Sequence, residues 1–413
     1  MDTIKGFSKI VFAIVFLTFL GFYLILLLAN SFSPLGQNRA LSIIIRMIIG
    51  GLLILIPFSR VFRKRMLNNV FLTKYFVVFS VVFLFRFIVD FNNETTYYIP
   101  YSNLLFYFIS FCFLPFFILH RLELNSRDLQ SIFKALLYSG LLFAILSIYY
   151  YGKFVGSVSR LTAVETGEEV LSPLILSYCS SLIIGVMMFY VFFNKTTKKT
   201  LLLISTCIIL SIVPFFLGAS RGALVAVFLP IVLFVFVTKK RIYKLYIILI
   251  VLLLGFGVTF LDSYLESGLI GRFSNTAQAI GDESDSAIRL RIWESSLQQF
   301  VNNPFLGDKL QMNFSNHYPH NVFVEVLQAF GLVGFIPFSI LVIVCINYCI
   351  KMFKNYQDYA WISIIFLQAL VQGFFSGSIF TSAWLWSSMA LVIAVFNFLN
   401  SKEDNNKIKY YYK

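Results

Sequence analysis

The sequence predicts an all-α, polytopic membrane protein, and three observations support that fold class. First, 59% of the residues are hydrophobic and only 13% are charged, against about 25% charged residues in an ordinary soluble domain. Second, apolar windows of about 17 to 25 residues, the length that crosses a bilayer as a helix, recur along the whole chain. Third, the basic residues cluster in alternate connections between those windows.

The apolar windows predict about twelve transmembrane helices. They lie at residues 10–30, 41–58, 70–90, 101–119, 130–151, 171–193, 200–217, 221–237, 243–262, 321–350, 359–375 and 382–399. The first window lacks a small-residue cleavage site, so we expect it to stay in the protein. The tenth is long enough for part of it to lie at the membrane interface.

These windows divide the chain into four regions. Residues 1–261 hold the first nine helices, 262–320 form one large loop, 321–399 hold the last three helices, and 400–413 form a tail too short to fold alone. If the N-terminus is cytoplasmic, every even-numbered connection is cytoplasmic too, and these connections hold most of the 33 Lys and Arg residues. The positive-inside rule therefore predicts that both termini are cytoplasmic and that the large loop is on the opposite face.

The same distribution explains the net charge of +14 without a nucleic-acid partner. The five cysteines lie within or beside apolar windows and have no paired spacing, so we predict neither a disulfide framework nor a zinc site. The sequence also lacks a Gly-rich nucleotide loop and a serine-hydrolase motif. If the protein is an enzyme, its donor substrate must therefore arrive already activated.

Basic residues outside the cytoplasmic set are mostly arginine, whose planar guanidinium binds phosphate bidentately. Arg46 and Arg86 lie within apolar windows, where a charged side chain faces a cavity or a partner, or else extends towards the headgroups. Arg160 lies in the outer connection between the fifth and sixth windows. Arg221 follows the small residues Gly218-Ala219-Ser220. This segment is either an ordinary turn with a solvated charge or a helix start that binds an anion.

The large loop contains a second group of candidate residues. A helix is expected to begin between Asp282 and Asp285 and to end at Asn302-Asn303-Pro304. Arg289 and Trp293 are four residues apart and share one face of this helix, whereas Arg291 points elsewhere. The alternative is an amphipathic helix that lies on the membrane surface.

Two of the three histidines, His317 and His320, come directly before the tenth window. A histidine at the membrane surface is suited to proton transfer near neutral pH, although a capping or interfacial role is the alternative. No third ligand has a spacing that would support a metal site, so we predict none. His120 lies at a cytoplasmic helix end and is expected to be a surface residue.

Five fragments, in this order, resemble the O-antigen ligase and O-antigen polymerase superfamily. They are Ser220-Arg221, Arg289-Leu290-Arg291-Ile292-Trp293, Asn303-Pro304-Phe305-Leu306-Gly307, His320-Asn321 and Gly331-Leu332-Val333-Gly334. The matching motifs lie within residues 200–340. The rest of the chain resembles the family only as generic membrane sequence. Members often have a second glycine after the Pro-x-x-Gly segment, where this chain has Asp308-Lys309-Leu310.

The resemblance implies a C-type, inverting, metal-independent glycosyltransferase without a cofactor. Its donor would be an undecaprenyl-diphosphate-linked oligosaccharide, used at the periplasmic face of the bacterial inner membrane among membrane lipids. A polysaccharide chain-length regulator is a candidate protein partner. Arg221, Arg289 and His320 match the family's motif positions for catalysis. The candidates for substrate binding are Arg86, Arg291, Arg46, Arg160, His317 and Asn321.

Several functions fit these residues. The compact segment from Asp262 to His320 favours a polymerase over a ligase, and a related exopolysaccharide or protein glycosylation pathway is a further alternative. About twelve spans and membrane arginines would also suit a lipid-linked glycan flippase. A flippase is expected to have two similar halves and needs no long outer loop with histidine, so we prefer the enzyme. A purely structural scaffold would tolerate replacement of Arg221, Arg289 and His320.

Overall fold

The computed structural model describes residues 2–32, 39–55, 70–95, 97–157, 161, 171–239, 241–264, 268–274, 285–314 and 317–411. Over these residues the chain is helical and contains no strand. The all-α prediction is confirmed. The helices are α1 (Asp2–Thr18), α2 (Leu20–Phe32), α3 (Arg39–Leu55), α4 (Val70–Asn92), α5 (Tyr101–Tyr107), a π-helix (Phe108–Phe113), α6 (Leu114–Leu119), α7 (Ser126–Tyr151), α8 (Pro173–Phe193), α9 (Lys198–Gly218), α10 (Arg221–Val237), α11 (Arg241–Tyr264), α12 (Leu269–Ser274), α13 (Asp285–Asn302), α14 (Val322–Asn355), α15 (Ala360–Phe375) and α16 (Ala383–Tyr411).

Over the residues that the structure describes, each of the predicted apolar windows is largely helical. Within the described residues, eight helical stretches are long and apolar enough to cross a membrane. Helices α1 and α2 together cover the first window, but they are bent by 67° with respect to each other. Helices α3 and α10 are shorter, with 17 residues each. A polytopic membrane protein is therefore supported, and the full number of spans stays a prediction.

The connections predicted to be cytoplasmic contact one another. The Asn194 side chain donates to the carbonyl oxygen of Asp358 at 3.0 Å, which joins the α8–α9 and α14–α15 connections. Gln357 donates to the Thr238 hydroxyl at 3.2 Å, which adds the residue that follows α10. His120 lies on this side too, but the prediction that it is a surface residue is wrong. It is fully buried, and its ring bonds the Thr73 hydroxyl at 2.9 Å.

The connections predicted to be outside also contact one another. The Leu310 amide donates to the Asp90 carboxylate at 2.9 Å, so the end of α4 contacts the large loop. The Leu161 amide donates to the Leu217 carbonyl at 3.1 Å, so the α7–α8 connection contacts the end of α9. The two sets of connections are thus separated as the alternating charge pattern predicts. Which set faces the cytoplasm stays a prediction from the charges.

An aromatic cluster fixes α16 against α4 and α14. Trp386 is fully buried, and its ring lies 5.2 Å from Phe79 and 5.8 Å from Phe338, between ring centroids. Such pairs contribute about 0.5–1.5 kcal/mol each beyond the burial of their area. The indole of Trp386 also donates to the Ile379 carbonyl at 2.9 Å. The same cluster therefore positions the connection between α15 and α16.

Candidate active site

A cavity of about 370 Å³ lies where several predicted outer connections meet. Polar and apolar side chains from the large loop, the first turns of α8, the α15–α16 connection, the α1–α2 bend, α3 and the π-helix line it together. The lining includes Arg289 and His320, two of the three predicted catalytic residues, together with Tyr178, Tyr318, Ser376, Gly377, Thr381, Ser382, Thr18, Phe22, Tyr23, Leu26, Ile49, Phe111 and Trp384.

Helix α13 brings Arg289 to this cavity. The Arg289 guanidinium donates from Nη1 to the Phe375 carbonyl at 3.1 Å, at the end of α15. On the same face, Trp293 donates from Nε1 to the Pro319 carbonyl at 3.0 Å. Arg291 is exposed on another face, as the helical spacing predicts. These contacts dock α13 onto α15 and the loop, which argues against a helix that only rests on the membrane surface.

His320 lies in the left-handed region of backbone space, with φ of +57°. A non-glycine residue in that conformation costs of order 1–3 kcal/mol, and such strain clusters at functional sites. The imidazole centroid lies 4.6 Å from the ring of Tyr318 and 5.5 Å from the ring of His317. His317 is half-buried beside His320 and is not among the residues that line the cavity.

The surroundings of His320 keep it neutral. Burial has the largest effect and, with the nearby His317 and the positive charge of Arg289, lowers the pKa of His320 to about 4. Burial likewise lowers the pKa of His317 and raises the pKa of Tyr318 to about 12. At neutral pH the cavity therefore presents an imidazole with a free nitrogen lone pair, a guanidinium and a phenol that keeps its proton.

The small-residue turn before α10 packs against the start of α8, and its glycines are required by close approach. A Cβ at Gly218 would lie 2.3 Å from the Ser177 hydroxyl, and a Cβ at Gly222 would lie 2.1 Å from the Tyr178 hydroxyl. Ala219 closes α9 in the left-handed conformation, with φ of +41°. Ser220 then caps α10 by accepting from the Ala223 amide at 3.3 Å.

Arg221 is the first residue of α10 and is half-buried. It is not among the residues that line the cavity, but both of its neighbours in the chain contact Tyr178, which does line it. Arg221 therefore lies between two residues that contact the cavity lining, whereas Arg289 and His320 line the cavity itself.

Residues 206–307 match a family model described as O-antigen ligase. The resemblance to the O-antigen ligase and polymerase superfamily is thereby confirmed. The matched segment covers about a quarter of the 413 residues. It includes Arg221 and Arg289 and ends at Gly307, before His320. No curated protein matches the sequence.

The last motif of the matched segment, Asn303 to Gly307, docks onto a break in α14. Gly331 has φ of +56° and ψ of −155°, which interrupts the helix. The amides of Leu332 and Val333 donate to the carbonyls of Pro304 and Phe305, at 2.8 and 3.1 Å. The Asn303–Gly307 and Gly331–Gly334 motifs therefore build one structural joint, and neither lines the cavity.

Arg86 holds this joint from the side of α4. Its guanidinium donates to the carbonyls of Leu306, at 2.8 Å, of Gly307, at 2.9 Å, and of Asp308, and lies 3.7 Å from the Asp90 carboxylate. The side chain is buried and does not line the cavity. Three backbone carbonyls and a carboxylate contact its terminal nitrogens, and substrate binding by Arg86 stays a prediction.

Asn321 also has a structural role, and its substrate contact stays a prediction. It is buried, and its side chain caps α14 by accepting from the amides of Phe323 and Val324, at 3.0 and 3.3 Å. This cap fixes the start of α14 directly after His320. Of the other candidates, Arg160 lies outside the described residues, and Arg46 lies in α3 with a side chain outside the described part.

Within the described residues, no group of three or more His, Cys, Asp and Glu side chains could hold a metal ion. The five cysteines are buried and unpaired with one another. The expected absence of a metal in the reaction stays a prediction, and the arginines are the described groups that could neutralise an anionic substrate here.

Sequence reasoning missed the α15–α16 connection. Glu325, fully buried in α14, accepts from the Ser378 hydroxyl and from the Ile379 amide, both at 2.9 Å. These bonds hold a segment that gives Ser376, Gly377, Thr381 and Ser382 to the cavity. The run of small and hydroxyl residues between two apolar windows was a signal for it. No signal in the sequence singled out Tyr178, which lies within a long apolar window.

Proposed function

We propose that this protein is a glycosyltransferase that uses a polyprenyl-diphosphate-linked glycan as donor. Within that class we propose a polymerase that joins undecaprenyl-diphosphate-linked oligosaccharide repeats at the periplasmic face of the inner membrane. The observation that carries the proposal is the presence of Arg289 and His320 on one cavity, beside the turn that holds Arg221. The cavity lining combines polar side chains, which suit charged groups, with apolar side chains from the helices.

In the proposed reaction, Arg289 and Arg221 bind the diphosphate. A hydroxyl of the acceptor sugar attacks the anomeric carbon of the donor glycan from the side opposite the diphosphate. The bond between the anomeric carbon and the diphosphate oxygen breaks, and undecaprenyl diphosphate leaves with both bonding electrons. Because negative charge grows on the leaving diphosphate, the guanidinium groups stabilise the transition state more than the ground state.

His320 accepts the proton that the acceptor hydroxyl loses. An imidazole must be neutral to act as a base, and the lowered pKa of His320 ensures this in the free protein. A bound diphosphate adds negative charge beside the ring. This charge offsets the effect of Arg289 and raises the basicity of His320 when the acceptor is present. No metal is needed, since arginine charges replace it.

A ligase that transfers the glycan to a lipid A-core acceptor is the second candidate, and the same cavity chemistry supports it. The compact loop between Asp262 and His320 favours the polymerase. A flippase for the same lipid-linked glycan is the candidate of another class. A strained histidine beside an anchored arginine supports bond-making chemistry more than transport.

The deciding experiment uses purified protein in detergent with a synthetic undecaprenyl-diphosphate repeat unit, without metal or nucleotide. A ladder of longer lipid-linked products supports the polymerase, because one substrate has served as donor and acceptor. No ladder, but transfer after lipid A-core is added, would identify a ligase. No product in either assay would refute the glycosyltransferase and favour the flippase.

The same assay tests the residues. Arg289→Ala, His320→Ala and Arg221→Ala should each lower transfer by at least about a hundredfold, the usual loss when a charge-stabilising or proton-transfer group is removed. Membrane abundance should stay unchanged. Arg127→Ala is the control, since Arg127 is exposed near the start of α7 on the other side of the molecule. Full transfer by any two of the three variants would remove the proposed site.

A further inference from the structure

Tyr178 is a buried tyrosine in the second turn of α8, and its side chain lines the cavity. Its hydroxyl lies 3.3 Å from the Ser376 hydroxyl, at the end of α15. It is also within hydrogen-bond reach of the Ser220 side chain and within the electrostatic influence of Arg289. One hydroxyl thus lies between the turn that holds Arg221 and the segment that anchors Arg289.

The geometry leaves this hydroxyl capable of another hydrogen bond. Hydroxyl pairs in proteins prefer about 2.7–2.8 Å between oxygens, so the 3.3 Å contact with Ser376 is long. A phenol has one donor and two acceptor positions. The Ser220 and Ser376 hydroxyls can both donate to the phenol oxygen. In that arrangement the phenol proton is left for a ligand oxygen in the cavity.

The charges nearby determine which ligand oxygen suits this position. Arg289 lies on the cavity, and the Ser220–Gly222 segment that contacts Tyr178 also contains Arg221. Oxygens near these guanidinium groups will be anionic, and a hydrogen bond from a neutral donor to an anion is stronger than one between neutral groups. A diphosphate oxygen meets both conditions, whereas a sugar hydroxyl gains nothing from the charge.

We propose that Tyr178 is a further substrate-binding residue whose hydroxyl donates a hydrogen bond to a diphosphate oxygen that Arg289 also binds. This inference rests on the proposed function. It assigns a third diphosphate contact to α8, which neither the motifs nor the matched segment 206–307 includes. The donor diphosphate would then be held by groups from α8 and α13, with Arg221 at the start of α10.

The test is binding of undecaprenyl diphosphate, without a glycan, to the purified full chain. Tyr178→Phe keeps the ring that packs against Gly222 and removes only the hydroxyl. We expect its dissociation constant to rise about tenfold to a hundredfold, the range for one hydrogen bond to a charged group. Thermal stability should stay at the wild-type value. Tyr190→Phe is the matched control, because Tyr190 is on the same helix, stacks on Phe133 and does not line the cavity.

A second variant separates binding from a structural tie between helices. If the Tyr178 hydroxyl only joined α8 to its neighbours through Ser376 and Ser220, the double variant Ser376→Ala/Ser220→Gly would remove the same bonds and weaken binding as much as Tyr178→Phe does. Glycine is nearly as good a helix cap as serine. We expect a clearly smaller effect from the double variant. Equal losses in the two variants would overturn the proposal, and so would wild-type affinity in Tyr178→Phe.

The outcome also distinguishes this inference from the proposed function. If the wild-type chain binds undecaprenyl diphosphate and Arg289→Ala does not, while Tyr178→Phe behaves like Tyr190→Phe, only the role of Tyr178 is refuted. If Tyr178→Phe binds normally but transfers glycan slowly, its hydroxyl contacts the sugar, which also refutes the diphosphate contact. If the wild-type chain neither binds undecaprenyl diphosphate nor transfers glycan, the proposed function fails with it.

Discussion

At the scale of single residues, His320 combines backbone strain with an unusual electrostatic environment. Its φ of +57° is maintained by the Asn321 cap that follows it and by the aromatic rings around it. A residue that was only an interfacial cap would need neither the strain nor a neighbouring arginine. The combination is what a positioned proton acceptor requires, since its ring must face the acceptor and stay neutral.

The pH dependence of transfer tests this environment. The kcat/KM profile reports the free protein, in which the pKa of His320 is lowered to about 4. The neutral form is the active base, so kcat/KM should stay level from about pH 8 down to about pH 6 and fall only below about pH 5. The profile of kcat reports the substrate complex, where the diphosphate charge raises the pKa, so its acidic limb should lie at higher pH. Coincident limbs near the ordinary histidine pKa would contradict the burial of His320 and the influence of Arg289.

At the scale of elements, the joint between the Asn303–Gly307 segment and the break in α14 positions the loop that contains the site. It places α13, with Arg289, on one side and the start of α14, preceded by His320, on the other. Gly307 and Gly331 are both needed there. A Cβ at Gly307 would lie 2.3 Å from the Ala329 backbone, and a Cβ at Gly331 would lie 2.5 Å from the Phe305 backbone.

Gly331→Ala should therefore destabilise the protein. The left-handed φ alone costs an alanine about 1–3 kcal/mol, and the clash with Phe305 involves backbone that cannot rotate away. We expect a lower melting temperature in detergent and reduced transfer. The control is Gly255→Ala in α11, where a new Cβ would meet nothing within 4 Å. That variant should be neutral or more stable by up to about 1 kcal/mol, since alanine favours a helix interior. Equal stability of the two variants would contradict the claim that the joint requires a glycine at position 331.

The elements were largely predictable from the sequence, but their contacts were not. The apolar windows alone predicted the bounds of α11 and α14 to within a few residues. Helix α13 ends at Asn302, as predicted. Side-chain roles depend on tertiary contacts that no local pattern contains. Arg86 and Asn321 have the residue types of a phosphate or sugar site, yet Arg86 donates to backbone carbonyls and the Asn321 side-chain oxygen accepts from backbone amides. The bend between α1 and α2 was likewise absent from the hydropathy pattern.

At the scale of the whole molecule, the charge pattern predicts that the two sets of connections lie on opposite sides of the membrane. Each set is linked by its own hydrogen bonds, as between Asn194 and Asp358 on one side and between Asp90 and Leu310 on the other. The candidate site is built around Arg289 and His320, which belong to the second set. Its access to substrates therefore depends on which side of the membrane that set faces.

Cysteine labelling tests the orientation directly. The native cysteines are buried, so a membrane-impermeant maleimide should give little background. Tyr98→Cys places a thiol at an exposed position of the predicted outer set, and Glu123→Cys does so in the predicted cytoplasmic set. In intact spheroplasts we expect labelling of the first variant and not of the second, which should react only after the membrane is permeabilised. The reverse pattern would place the site in the cytoplasm.

The docking of the Asn303–Gly307 segment on α14 has a consequence for evolution. Its hydrogen bonds join backbone atoms, so the side chains of Phe305, Leu306, Leu332 and Val333 can change while the bonds persist. Only positions where a Cβ cannot fit, such as Gly307 and Gly331, limit substitution. Lineages that share this architecture can therefore diverge until a few glycines and polar residues are the remaining signs of common ancestry.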